Sequence, residues 1–285
     1  MRLARPDGFT LALGGGGARG WAHIGVARAL DARGLRPGRI VGTSMGALIG
    51  AGLAAGRTPD DIEAVARRTP FFRVVRGPGH FALFDPRPLL DLLARDMGDP
   101  RIEDLPTPLG ISAYDLVAGT PTLITSGRLV PALQRSMAVP FFFPPCRDAT
   151  GVWCDAGPWE AVPVSLARAW APEEPVIGVL VDAPKPAFLA TRYGAALLRR
   201  VSLRLGTDGD ALTARRYLAL LAVRWADPIH REEPDLLIAP RLGLTTAWQF
   251  GRIGPMIERG ERDALAALAS VTVGVKAAEA SVHAA

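Results

Sequence analysis

Short apolar runs of strand length alternate along this chain with longer stretches in which apolar residues return every three or four positions. Phe9-Thr10-Leu11-Ala12-Leu13 is the first such run, and Trp21-Ala22-His23-Ile24-Gly25-Val26-Ala27-Arg28-Ala29-Leu30 is the first helical stretch. The pattern predicts strands over 9–13, 39–42, 109–116, 121–125, 151–154, 175–182 and 235–239. It predicts helices over 19–33, 45–56, 59–68, 86–97, 128–138, 161–170, 188–204, 209–225 and 255–269. Strands that alternate with helices specify an α/β fold, with a mainly parallel central sheet covered on both faces. With 285 residues, 49% of them hydrophobic, a single domain over 1–285 is expected. No internal repeat or heptad array is visible.

Two glycine-marked turns interrupt this pattern early. Gly14-Gly15-Gly16-Gly17-Ala18-Arg19-Gly20 joins the first strand to the first helix. Consecutive backbone N–H groups at a helix start form an anion cradle, for a phosphate or for a tetrahedral oxyanion. Gly42-Thr43-Ser44-Met45-Gly46 joins the second strand to Ala47-Leu48-Ile49-Gly50-Ala51-Gly52. Glycines two before and two after the serine let the backbone bend sharply, so that Oγ is presented at a helix N-terminus as a nucleophile.

The phosphate readings fit poorly. Arg19-Gly20-Trp21 supplies neither the lysine nor the hydroxyl of a P-loop, and no lysine precedes Lys185, which removes the kinase type. Gly15-x-Gly17-x-x-Gly20 matches the dinucleotide fingerprint, which also wants an acidic residue roughly 20 positions on. Here the second strand runs instead into Gly42-Thr43-Ser44. A dinucleotide site stays open only as an alternative. An N–H cradle beside an elbow serine suits acyl transfer, with Ser44 as nucleophile and Gly15, Gly16 and Gly17 around the oxyanion. The four histidines are His23, His80, His230 and His283. The first reads as a packed structural residue, and the others lie in loop-like or terminal sequence. Asp155, at the end of Val152-Trp153-Cys154, is the better base, although a turn aspartate capping its own backbone reads the same way.

Together these segments resemble the patatin-like phospholipase family, in particular bacterial members related to the neuropathy target esterase catalytic domain. Gly15-Gly16-Gly17-Ala18-Arg19-Gly20 is similar to its oxyanion loop, Gly42-Thr43-Ser44-Met45-Gly46 to its nucleophile elbow, and Asp155-Ala156-Gly157 to its Asp-Gly-Gly/Ala motif. Ser136-Met137-Ala138-Val139-Pro140-Phe141-Phe142-Phe143-Pro144-Pro145 resembles the stretch preceding that aspartate. The resemblance covers about residues 8–183 well, leaving a divergent helical cover and last strand over about 184–270. It implies a three-layer patatin-like fold, a Ser44–Asp155 dyad and an oxyanion loop braced by Arg19. It also implies no metal or other cofactor, and hydrolysis of (lyso)phospholipid or other lipid acyl esters.

Two departures qualify that expectation. Ala156 stands where the family usually has glycine, and Trp159-Glu160-Ala161-Val162-Pro163-Val164 replaces an Asn-rich turn. A Cβ at a position needing positive φ would displace Asp155. Glu160 reads as a solvated turn residue, or else as a second charge beside the dyad. The alternatives are therefore an impaired lipid- or acyl-binding regulator, and an acyltransferase using the same serine.

Charge adds little. The net charge is +5, and apart from Lys185 and Lys276 the positive charge is arginine. There is no basic tail or aromatic-basic module, so nucleic acid is not an expected partner. The arginines between Arg192 and Arg224 read as an amphipathic cover that could face anionic headgroups. Phe71, Phe72, Phe81, Phe84, Phe141, Phe142 and Phe143 are candidates for peripheral membrane contact or for the acyl pocket. No run is long enough to span a bilayer, and Met1-Arg2-Leu3-Ala4-Arg5 leads into a strand and not a signal sequence. Cys146 and Cys154, flanking a hairpin without metal-ligand company, suit free thiols in a reducing cytoplasm, with peripheral contact at the inner membrane face.

Overall fold

The computed structural model describes residues 1–69, 84–140, 142–181 and 232–273. The expected helices over 188–204 and 209–225 and the arginines of that stretch lie outside these residues, as do Phe71, Phe72, Phe81, Phe141, His80, His230, His283 and both lysines.

The first strand of the main sheet is β2 (Thr10–Leu13), followed by β3 (Arg39–Thr43), β4 (Leu109–Asp115) and β5 (Thr120–Ile124). Then come β6 (Cys146–Asp148), β7 (Gly151–Cys154), β8 (Val176–Val179) and β9 (Leu236–Ile238). These eight strands form one sheet in the order β6-β7-β4-β3-β2-β8-β9, with β5 also on β4. The pairs among β4, β3, β2, β8 and β9 are parallel, whereas β5 and β7 run antiparallel to β4. A separate parallel pair, β1 (Arg2–Leu3) with β10 (Thr272–Val273), ties the two ends of the described chain together.

Helices α1 (Ala22–Ala32), α2 (Met45–Ala54), α3 (Pro59–Arg68), α4 (Arg87–Met97), α5 (Leu129–Met137) and α7 (Ile253–Leu268) build the larger layer. Leu11, Leu13, Ile40, Ile177 and Val179 point into the core they form with the sheet. The intervening residues Ala12, Val41 and Val176 face the opposite side, where α6 (Val164–Trp170) covers them. Both sheet faces are thus buried, as a parallel sheet requires. The predicted helix over 19–33 begins instead with a 3-10 turn at Gly17–Trp21. The one over 161–170 starts at Val164, directly after Pro163.

Register decides what meets at the end of the sheet. Leu13 pairs with Gly42, so the loops leaving β2 and β3 emerge side by side. On β4, the edge opposite β5 is shared: β3 occupies it as far as the pair Thr43–Ser112, and β7 enters from the other end as far as Cys154–Tyr114. One residue beyond each ladder, Ser44 and Asp155 both arrive beside Ala113.

Candidate active site

Ser44 has φ 55° and ψ −120° and is 7% exposed. Such a conformation costs a non-glycine residue about 1–3 kcal/mol and persists only where its surroundings hold it. Its own N–H donates to Ser136 Oγ at 2.8 Å, a contact wholly inside the protein. Close approach explains the flanking glycines. A Cβ on Gly46 would stand 2.3 Å from the Leu13 carbonyl oxygen, and one on Gly42 would lie 2.5 Å from Ala47 Cα. The start of α2 can therefore press against the end of β2, and the glycine loop sits next to the serine.

Asp155 is 4% exposed. Its N–H donates to the Ala138 carbonyl at 3.1 Å, and its Oδ1 accepts from the Gly157 N–H at 2.6 Å. Ala156 is buried but is not among the positive-φ residues; Ser44 and Asp99 are the non-glycine members of that group among the described residues. Alanine is accommodated here without the strain expected from the sequence. The position that cannot accept a side chain is Gly157, where a Cβ would stand 2.9 Å from Asp155 Oδ1.

The glycine loop divides its N–H groups. Gly14 donates to the Val179 carbonyl at 3.0 Å, Gly15 to Ala161 at 3.1 Å and Ala18 to Ala247 at 2.8 Å. Among the described residues, the Gly16 and Gly17 N–H groups have no acceptor. Gly15 packs over the serine, with its Cβ direction 3.4 Å from Ser44 Cβ. Arg19 is 6% exposed and directs its guanidinium into the fold, where it donates to the carbonyls of Val181 (2.9 Å), Gly243 (3.0 Å) and Thr245 (2.7 Å). Its side chain thus ties the loop to the segment after β9.

His23 lies beneath this loop. It is 1% exposed, and Nε2 lies 2.8 Å from the Gly14 carbonyl, which can only accept, so Nε2 carries the proton. Burial lowers its pKa to about 4, keeping the ring neutral near pH 7. Glu160 departs from expectation: it is 3% exposed, not solvated. Its carboxylate accepts from the Ser165 N–H and Oγ–H, serving the amino end of α6. Burial raises its pKa, and the Ser165 hydrogen bonds oppose that rise. Cys146 and Cys154 are free and buried, and burial first, then the nearby Asp155 charge, pushes the Cys154 thiol up.

An apolar cavity of about 120 Å³ opens onto Ser44 and Gly17. Met45 and Leu48 of α2, Leu89 of α4, Met137 of α5, Val139, Phe84, Phe143, Trp248 and Phe250 complete its wall, while Asp155, on the β7 side, does not line it. Phe84 and Phe143, two of the aromatic residues singled out in the sequence, therefore face the serine. Phe142 packs against Trp248 with ring centroids 4.0 Å apart and the rings tilted by 40°. Trp248 and Phe250 escape a sequence reading because they come from a segment about two hundred residues beyond Ser44; the only signal is an aromatic pair ahead of Gly251. Among the described residues no group of three or more His, Cys, Asp or Glu could hold a metal, and no helix is long and apolar enough to cross a membrane.

Residues 11–168 match the family model for patatin-like phospholipases, and the chain belongs to that family. An uncharacterized NTE family protein of Mycobacterium bovis is 33% identical over 176 residues, which is 61% of this chain and 46% of the relative. Patatin-like phospholipase domain-containing protein 7 of Rattus norvegicus is 30% identical over 205 residues, 69% of this chain and 15% of that protein. The chain thus spans less than half the length of these relatives. The crystal structure of VipD from Legionella pneumophila shares the fold, with a TM-score of 0.51 at 16% identity over 93% of this chain and 67% of that one.

Proposed function

We propose that the chain is a serine acyl hydrolase acting on lipid acyl esters, (lyso)phospholipids among them. The observation that supports this most directly is the meeting of Ser44 and Asp155 beside Ala113, with Ser44 at the wall of an apolar cavity. In this reading Asp155 accepts the Ser44 hydroxyl proton as Oγ attacks the ester carbonyl. The Gly16 and Gly17 N–H groups, without an acceptor among the described residues, receive the oxyanion, aided by the dipole of α2. Asp155 returns the proton to the departing alcohol and then activates the water that releases the acyl group. Gly15 and Arg19 hold the loop and do not donate to the oxyanion.

The cavity wall suits a hydrocarbon chain. Leu244, 91% exposed, and Trp248, 38% exposed, lie on the segment that closes the cavity, and they support peripheral contact with a lipid surface. The regulator reading loses its motive, because Ala156 is unstrained and Glu160 is engaged with Ser165. An acyltransferase relying on histidine finds His23 committed to Gly14. Ser44→Ala is expected to abolish hydrolysis of p-nitrophenyl butyrate and labelling by a fluorophosphonate probe while leaving the thermal midpoint nearly unchanged. Retained turnover in Ser44→Ala would overturn the assignment.

A further inference from the structure

A second apolar chamber of about 60 Å³ lies between α2, α3 and α4. It shares two wall residues, Leu48 and Leu89, with the cavity at Ser44. The order of residues along the helices gives the two spaces a common axis. On α2, Ser44, Met45 and Leu48 line the first, while Leu48, Ile49 and Gly52 line the second. Ser44, Leu48 and Gly52 are spaced by four, on one helix face, and span about 12 Å. On α4, Leu89 borders both, and Leu93, Asp96 and Met97 border only the second. Both helices therefore lead away from the nucleophile in the same sense. At the far side stands the ion pair of Arg57 with Asp96, both partly exposed.

Packed interiors seldom leave voids larger than one water, which needs only roughly 10–15 Å³ of such space. This chamber is several times larger, is partly open to solvent, and has a mostly aliphatic wall that gains by covering hydrocarbon. Resting on the hydrolase reading above, we infer that the chamber is the seat for the methyl end of a medium-length acyl chain. The chain passes between Leu48 and Leu89, and the Arg57–Asp96 pair ends its path because a hydrocarbon tail offers that pair nothing in exchange for its hydration and mutual contact. Acyl length is thereby read at a site one to two helical turns from the chemistry. Ala66 of α3, 4% exposed, lies in the chamber wall with room for a longer side chain beside it.

The test compares kcat/KM for p-nitrophenyl laurate and p-nitrophenyl butyrate. Wild-type protein is expected to favour laurate. Ala66→Met, which fills the chamber with a flexible apolar side chain, is expected to lower the laurate-to-butyrate ratio at least tenfold. Leu89→Ala, which widens the passage, is expected to leave it above that of Ala66→Met by a similar factor. Lauric acid binding measured by calorimetry reads the chamber without turnover: Ala66→Met in the Ser44→Ala background should raise Kd at least tenfold over Ser44→Ala alone. Butyrate hydrolysis with a laurate ratio unmoved by folded Ala66→Met, or lauric acid binding unaffected by it, overturns this inference and leaves the hydrolase reading intact. Loss of that reading instead shows as no butyrate turnover and no probe labelling of Ser44 in wild-type protein.

Discussion

A methyl group on Gly157 would lie 2.9 Å from the carboxylate oxygen that the Gly157 N–H holds at 2.6 Å. Gly157→Ala must therefore move Asp155 or the turn beneath it. Because misplacing a catalytic group by an ångström can cost about a hundredfold, kcat for p-nitrophenyl butyrate is expected to fall tenfold or more, with KM changing far less. A rate within twofold of wild type would show that Asp155 position is not limiting. His23 makes a different prediction. Its pKa is about 4 in the fold against 6.5 free, so between those values the unfolded chain binds a proton that the native protein excludes. Stability from this group is complete above pH 6.5 and is lost as pH falls toward 4, to a total of about 3 kcal/mol. Urea unfolding of wild type and His23→Gln across pH 4–7 should show the wild-type curve falling more steeply toward acid; parallel curves would refute it.

At the scale of elements, the strained serine depends on its neighbour α5. Ser136 is fully buried and supplies the acceptor for the Ser44 N–H. Ser136→Ala leaves that donor unpaired inside the protein, costing about 1–3 kcal/mol, and frees the elbow to relax. Probe labelling of Ser44 and kcat should both slow by the same factor while KM is retained; equal labelling rates would deny Ser136 a positioning role. The elements themselves were largely legible. The apolar run from Phe9 to Leu13 marks β2, and the apolar spacing over 59–68 marks α3, whose start the structure closes with a capping box of Thr58 and Asp61. Of the strands of two or three residues, β9 lies within the expected 235–239, whereas β1, β6 and β10 fall outside the expected strands and exist through their partners. Gly42 and Gly46 announce themselves because close backbone approach there excludes a side chain. Trp248, Phe250 and the buried Glu160 do not, since tertiary contact alone gives each its role.

For the molecule as a whole, Ser44 and Asp155 stand over a hundred residues apart in sequence and are joined by one strand edge. β3 belongs to the parallel heart of the sheet, paired along its length with β2 and β4. β7 reaches β4 through the residue pairs Tyr114–Cys154 and Asp115–Trp153, continued by a hydrogen bond from the Leu116 N–H to the Val152 carbonyl at 2.8 Å, and its outer neighbour is the three-residue β6. Along β4 the half of the site that holds Asp155 is thus fastened by two ladder pairs, against four for the half that holds Ser44. Lightly fastened hairpins open at free energies below that of global unfolding. Activity should then disappear in urea before helix content does, with the circular dichroism midpoint at clearly higher denaturant than the midpoint of the rate. Coincident midpoints would show that hairpin and sheet melt together. Peeling β6–β7 from β4 would therefore act as a reversible fuse: the serine stays presented on an intact scaffold, but the proton acceptor leaves, and hydrolysis stops in a protein that is still mostly folded.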